Sequence, residues 1–344
     1  MLIAVYRLRT AGAKRRASAE ARIGQIGVFM SIAVVLEQMI IIMILIGVGM
    51  ILFRKEMLSE DTSRQLSGLI VNITNPAVLI CSAFDDSPKV PLQTLGLSLI
   101  VFIVSYSVLI LFAYLIPLLL RIPGHARYSY RMLTVFGNVG FIGIPLASAV
   151  LGPGSLIFVS INNLIYNILV YTYGLSTLKR ASAAQNPDAS LQKPESILHK
   201  LVNAGTISAA LTIVFYLGNF NVPEIISASL TYAGRTTTFL SMLVLGVSVA
   251  QMAPKDIFSH PKLYGFTLIR QILLPVGFTL LLSLFVREPL ILNTTALMLA
   301  VPAGNMPLML SKQLHVEEST ISQGIILTTL LSLLTIPVVT FFIT

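Results

Sequence analysis

Three features predict an all-α polytopic membrane protein, with ten transmembrane helices in two inverted five-helix repeats and helices four and nine broken. The first is composition. Of 344 residues, 55% are hydrophobic and only 11% charged, with mean hydropathy +0.86, whereas a soluble domain carries about 25% charged residues. The second is that apolar stretches recur along the whole length, each long enough to cross ~30 Å of hydrocarbon as a helix. They are too long and too uniformly apolar for barrel strands, and in lipid only helices or closed barrels satisfy their own backbone. The third is a polar linker that divides the spans into five plus five.

The spans read, in order, as 31–53, 65–84, 92–119, 129–150, 155–177, 196–217, 235–252, 263–286, 291–311 and 319–342. A basic extension, residues 1–29, precedes them. It carries Arg7, Arg9, Lys14, Arg15, Arg16 and Arg22, lacks a long apolar core, and so does not read as a signal peptide. Two readings stay open: an over-extended start, with the first helix opening normally from Met30, or a functional basic tail. Residues 30–178 form the first repeat, 179–195 a polar linker rich in Ala, Ser, Gln and Pro, and 196–344 the second repeat.

Loop charge gives orientation. Basic residues gather after odd-numbered spans, among them Arg54, Lys55, Arg121, Arg127, Lys179 and Arg180; loops after even-numbered spans hold only Lys89, Arg235 and Arg287. By the positive-inside rule the first set is cytoplasmic, so both termini face outside at the cell membrane. An odd number of spans per half makes the halves antiparallel, the arrangement of many secondary transporters. The net charge of +9 therefore sets topology and does not signal nucleic acid.

The fourth and ninth spans carry interruptions. "GNVGFIGIP" (137–145) and "VPAGNMP" (301–307) each hold a Gly-Asn pair, Gly137-Asn138 and Gly304-Asn305, with a proline downstream, Pro145 and Pro307. Proline removes a backbone donor yet starts a half-helix well. Glycine lets the chain leave helical geometry and lets backbones approach. Either break alone reads as an ordinary proline kink. Both together, at corresponding places in the two halves, point to a midplane site where half-helix N-termini and carboxamides face an anion.

Other polar residues have two readings each. Asn163 and Asn167 lie four apart on one face of span five, with Asn162 and Tyr166 on a neighbouring face; they line a substrate path or glue helices together. Arg270, about 12 Å past Lys262 along span eight, serves an anionic substrate or snorkels to the cytoplasmic face. Glu37 is interfacial if the chain starts at Met30, and otherwise a proton-coupling candidate. The single cysteine, Cys81, reads as a small packing residue. The four histidines lack metal-ligand spacing, so no metal or cofactor is expected.

At these positions the sequence resembles the auxin efflux carrier family of secondary transporters. "GNVGFIGIPL" looks like its span-four signature and "MLAVPAGNMPLML" is similar to its span-nine crossover. "LSGLIVNITNPAVLICSAF" resembles its second helix and "TTLLSLLTIPVV" its last. The resemblance covers about 30–344 and implies ten helices in two inverted repeats, a scaffold domain, and a transport domain whose fourth and ninth helices cross at their breaks. The short linker is that of a bacterial-type member. The second span offers Asn72 and Asn75 where plant members carry an embedded acid, which leaves the coupling ion open.

Expected function is therefore secondary transport of a small organic anion by alternating access. The expected site is Asn138, Gly137, Pro145, Asn305, Gly304 and Pro307, with Asn163, Tyr166, Asn167 and Arg270 as further lining. Expected partners are that anion, the lipid bilayer and a coupling ion (proton or sodium), with a homodimer left open. No GxxxxGK[ST], HExxH or GxSxG occurs, so an ATPase or hydrolase is not indicated. The rival readings are a sodium-coupled carrier of the related bile-acid symporter fold and a membrane receptor that binds without transporting.

Overall fold

The computed structural model describes residues 32–84, 89–185 and 202–343, apart from 219, 221, 254, 256, 258, 315, 317 and 318. The basic extension at 1–29 lies outside the described residues, as does most of the linker. Among the described residues the chain is helical throughout, with one isolated β-bridge. We number the helices α1 (Ile32–Arg54), α2 (Glu60–Ser82), α3 (Leu92–Leu119), α4 (Ala126–Val135), α5 (Val139–Leu151), α6 (Pro153–Ala184), α7 (Ala204–Gly218), α8 (Glu224–Ala250), α9 (Pro261–Ser283), α10 (Pro289–Ala300), α11 (Met306–Gln313) and α12 (Ser319–Ile343).

Seven of these, α1, α2, α3, α6, α8, α9 and α12, are long and apolar enough to cross a membrane; α5, α7 and α10 are apolar but shorter. Large apolar side chains also stand on the outside of the bundle, including Ile44, Ile100, Leu118, Leu284 and Leu334. Water would penalise such a surface and lipid accepts it. The chain is a multi-pass membrane protein.

Proline sets many helix starts. Pro153, Pro261 and Pro289 open the first turns of α6, α9 and α10, where the missing N–H goes unneeded, and Pro91 and Pro223 cap α3 and α8. At α2 the Ser59 hydroxyl accepts from the Thr62 N–H at 3.1 Å, with Glu60 and Asp61 at the positive end of the dipole.

Proline also acts inside three rods. α2, α5 and α9 each contain a five-residue π-helical stretch, Ile70–Thr74, Val139–Gly143 and Ile269–Leu273, followed in each case by a residue and then Pro76, Pro145 or Pro275. The ring clashes with the carbonyl four residues back and supplies no donor, and one extra residue in the turn relieves both. A fourth such stretch, Val170–Gly174 in α6, has no proline behind it; nothing in its surroundings explains it.

Two boundaries differ from expectation in a way that matters. α8 begins at Glu224, not near 235, because Pro223 starts the helix and polar residues such as Ser227, Thr231 and Arg235 remain in it. Arg235 therefore lies inside a helix and not in a loop. α6 runs on through 179–184, since Lys, Arg and Ala there are good helix formers.

α8 packs on both α1 and α2, with α7 against α2 and α6; α12 packs on α1, α4, α9 and α10. Where α1 crosses α8 the backbones nearly touch. A Cβ on Gly246 would overlap the Ile46 carbonyl, and one on Gly49 would sit 2.5 Å from the Leu243 oxygen. Gly246→Val should consequently lower stability by about 1–3 kcal/mol through overpacking. Gly47→Ala, with nothing within 4 Å of its Cβ, should be neutral or slightly stabilising. Thermal unfolding of the purified variants in detergent reads the contrast, and equal melting temperatures would refute the close crossing.

Candidate functional site: two broken helices that pair

The chain stops being helical after Val135 and again after Ala300, and the two gaps meet. Gly137 and Ala303 form an antiparallel bridge. The Asn138 N–H donates to the Pro302 carbonyl at 2.7 Å and the Gly304 N–H donates to the Phe136 carbonyl at 2.9 Å. The Ala303 N–H donates to Thr328 Oγ1 of α12 at 3.1 Å. Donors that lipid could not satisfy thus find partners in the other break. Contact this close needs glycine: a Cβ on Gly304 would lie 2.6 Å from the Gly137 carbonyl oxygen.

The carbonyls that end α4 and α10 are held from α9. Arg270, only 2% exposed, donates through Nε to the Thr134 carbonyl at 2.6 Å and through Nη1 to the Leu299 carbonyl. Gln271 beside it donates to the Thr328 carbonyl at 3.2 Å and lies 3.5 Å from that of Ala300. No carboxylate pairs with Arg270 among the described residues. Two helix C-termini, each equivalent to about −0.5 charge, together match one guanidinium. Arg270 thus does not snorkel; it is a double C-cap.

The other two half-helix ends point the opposite pole at the break. α5 and α11 both begin there, and their N-termini are each worth about +0.5 charge. Asn138 caps α5 with its side-chain oxygen accepting from the Phe141 N–H at 3.2 Å. It is 4% exposed, and its Nδ2 has no partner among the described residues. Asn305 precedes α11, is half-buried, and its carbonyl accepts the helix's opening bond from Met309 N–H at 3.0 Å. Pro145 and Pro307 sit one residue inside the following α-helical turns.

The span-five residues divide differently from expectation. Asn167 donates to the Asn163 carbonyl at 2.8 Å and its ring-side neighbour Tyr166 packs edge-on against Phe136 at 5.6 Å. Asn167 also faces Gly205 of α7, so this pair sits at a helix contact. It is Asn162 that reaches the crossing. With Gly137, Tyr106, Thr295 and Arg270 it lines a cavity of about 10 Å³, the room one water takes. Thr295 Oγ1 is buried there with no partner among the described residues, and the Asn162 side chain meets the Tyr106 hydroxyl. Gln271 and Thr328 escaped the sequence reading, although a Gln directly after an intramembrane Arg was a visible signal.

A second, larger cavity of about 620 Å³ lies between α2, α5, α6 and α8. Pro145 lines it from the α5 side, Arg235 from the α8 side and Cys81 from α2. Cys81 is half-buried, its sulfur 3.0 Å from Thr231 Oγ1, and so does more than fill a core.

A family model described as "Membrane transport protein" matches residues 34–340. An uncharacterized transporter of Methanocaldococcus jannaschii is 25% identical over 308 residues, covering 88% of this chain and 96% of the relative.

Arg270→Met should leave the Thr134 and Leu299 carbonyls unpaired in a buried site, at about 1–3 kcal/mol each. Arg270→Lys should recover part, since one ammonium lacks the fork that spans both carbonyls. Melting temperatures should rank wild type, Lys, Met; a Met variant as stable as wild type would end the double-cap assignment.

Proposed function

The chain belongs to the membrane transport protein family, that of the auxin efflux carriers, and from that premise we propose that it carries a small organic anion across the cell membrane by alternating access. One observation carries the choice of an anion. Of the four half-helix ends at the crossing, the two negative ones are already matched by Arg270, while the two positive ones at α5 and α11 have no carboxylate beside them among the described residues. Their sum, about +1, suits a monocarboxylate. Asn138 Nδ2, without a partner among the described residues, is one candidate donor, and the carboxamide of Asn305, directly before α11, is the second.

In this reading α4 with α5, and α10 with α11, each act as one interrupted span. With α7 as a short span they make ten crossings in two inverted five-helix repeats. Both termini face outside and the linker is cytoplasmic. Sodium coupling through the crossover, as in the bile-acid symporter reading, would need free negative poles, and Arg270 occupies them. Reporter fusions in 186–195 should report cytoplasm and those after Thr344 the outside; the opposite result would reverse the orientation.

Counterflow of mono- and dicarboxylates in proteoliposomes tests transport itself. Saturable exchange of a monocarboxylate, unchanged when choline replaces sodium, is expected. Binding without exchange would make the protein a receptor, and sodium-dependent uptake would favour the symporter reading. If both asparagines donate to one carboxylate, each charge-assisted bond is worth roughly 1.5–3 kcal/mol. Asn138→Ala or Asn305→Ala should then weaken binding about 10- to 150-fold, non-additively because they share one ligand. Loss of folded yield with unchanged affinity would reduce both amides to backbone ties.

A further inference from the structure

Arg235 sits about three helical turns, roughly 16 Å, past the start of α8 at Glu224, with about four turns still to run to Ala250. The whole helix, at 27 residues, is about 40 Å long, and Arg235 lies in its first half with an exposed side chain. A charge within a spanning helix is tolerated when it faces a cavity or a partner, and marks function by default. Like Arg270, it has no carboxylate within 4.0 Å among the described residues, but no backbone carbonyl there partners it as Thr134 and Leu299 partner Arg270. Asp85 and Asp86 lie outside the described residues.

What surrounds Arg235 has the chemistry of a ligand site. It lines the 620 Å³ cavity with hydroxyls from Ser82, Ser148, Thr231, Thr237 and Thr238. Thr237 is 1% exposed and its Oγ1 has no partner among the described residues. The opposite walls are apolar, from Val78, Ile144, Leu156 and Leu230, and among the described residues no acidic side chain lines the cavity. Ser82 and Thr231 already donate to the Leu79 and Ser227 carbonyls. The one cation, the Thr237 hydroxyl and the apolar walls fit an amphipathic monoanion better than a cation, a sugar or a polyvalent acid.

We propose that this cavity is a carboxylate-binding site separate from the crossover, with Arg235 holding the carboxylate and the apolar walls holding an aliphatic or aromatic body. Passage of the same anion onward to Asn138 rests on the function proposed above; binding beside Arg235 does not. Pro145 and Ser148 bring the wall of the cavity to α5 itself, about two helical turns, roughly 10 Å, beyond the Asn138 break.

The chain carries its own reporter. Cys81 is the single cysteine, lines the cavity, and touches Thr231, which stands one turn before Arg235 on the same face of α8. Purified protein in neutral phosphatidylcholine nanodiscs would be treated with an anionic, a neutral and a cationic methanethiosulfonate. Relative to the neutral reagent, the anionic one should modify Cys81 faster than the cationic one in wild type. Arg235→Met should reduce that preference about tenfold, the scale of a unit charge one turn away at a partly wet site, and Arg235→Lys should keep it. Millimolar benzoate should slow modification by the neutral reagent in wild type and not in Arg235→Met.

A preference unchanged by Arg235→Met, no protection by benzoate, or a thiol that the neutral reagent cannot reach would each overturn the proposal. So would protection by phosphatidylglycerol nanodiscs in place of benzoate, since the occupant would then be a lipid headgroup. If Arg235→Met does not elute as a single folded species, benzoate protection of wild type decides alone. The assay needs no transport, so charge selectivity without counterflow would retain this site and remove the carrier function.

Discussion

The pairing of two interrupted backbones is the constraint on which the rest of the structure depends. A helix broken at membrane depth exposes N–H and C=O groups that lipid cannot satisfy, each at several kcal/mol. Here the bonds Asn138 N–H to Pro302 and Gly304 N–H to Phe136 close each gap with the other. Neither break is sustainable without its counterpart. The glycines follow from this, because the strands meet with no room for a side chain between Gly304 and Gly137. So does the placement of α9 and α12, which bring Arg270, Gln271 and Thr328 to the groups the bridge leaves over.

Satisfying the backbone also sorts the charge. Each half-helix contributes one pole to the crossing, and a pair of like poles repels unless something stands between them. The structure places a full cation at the two negative ends and leaves the positive ends to polar amides. A buried guanidinium without an acid is normally expensive. It is tolerable here because two carbonyl-rich termini act as its counter-charge. The reaction field at the crossing is therefore positive on the α5 and α11 side by construction, and no acidic residue is required to make the site polar.

Most of the fold was legible because hydropathy at ~20-residue length is a strong signal. The third span, 92–119, coincides with α3. The Gly-Asn and proline pairs at 137–145 and 301–307 were legible too, since such residues have few reasons to interrupt an apolar run. What was not legible depended on contacts far apart in sequence. Nothing local says that Arg270 meets Thr134, or that Asn162 and not Asn163 turns toward the crossing. Arg235 was misplaced for a different reason: α8 holds enough Ser and Thr in its first turns that hydropathy starts the span late. Pro223 was the better boundary marker. The π-helical stretches before Pro76, Pro145 and Pro275 show that X-Pro inside an apolar run can mean a widened turn rather than a helix end.

The two arginines then exchange the roles that their sequence positions suggest. Arg270, deep in an apolar run, looks like the natural partner for an anion, yet its donors are committed to Thr134 and Leu299. Arg235, counted with a loop, faces the open cavity. A carrier benefits from this division. For the monocarboxylate proposed as substrate, a bare cation at the crossover would give tight holding and slow release, whereas partial charges on two helix ends would attract it without a full ion pair. Conduction and exchange both require binding that is firm enough to admit the solute and weak enough to let it leave. In the proposed function, an uncommitted charge at the cavity wall and only dipoles at the crossing would meet both demands.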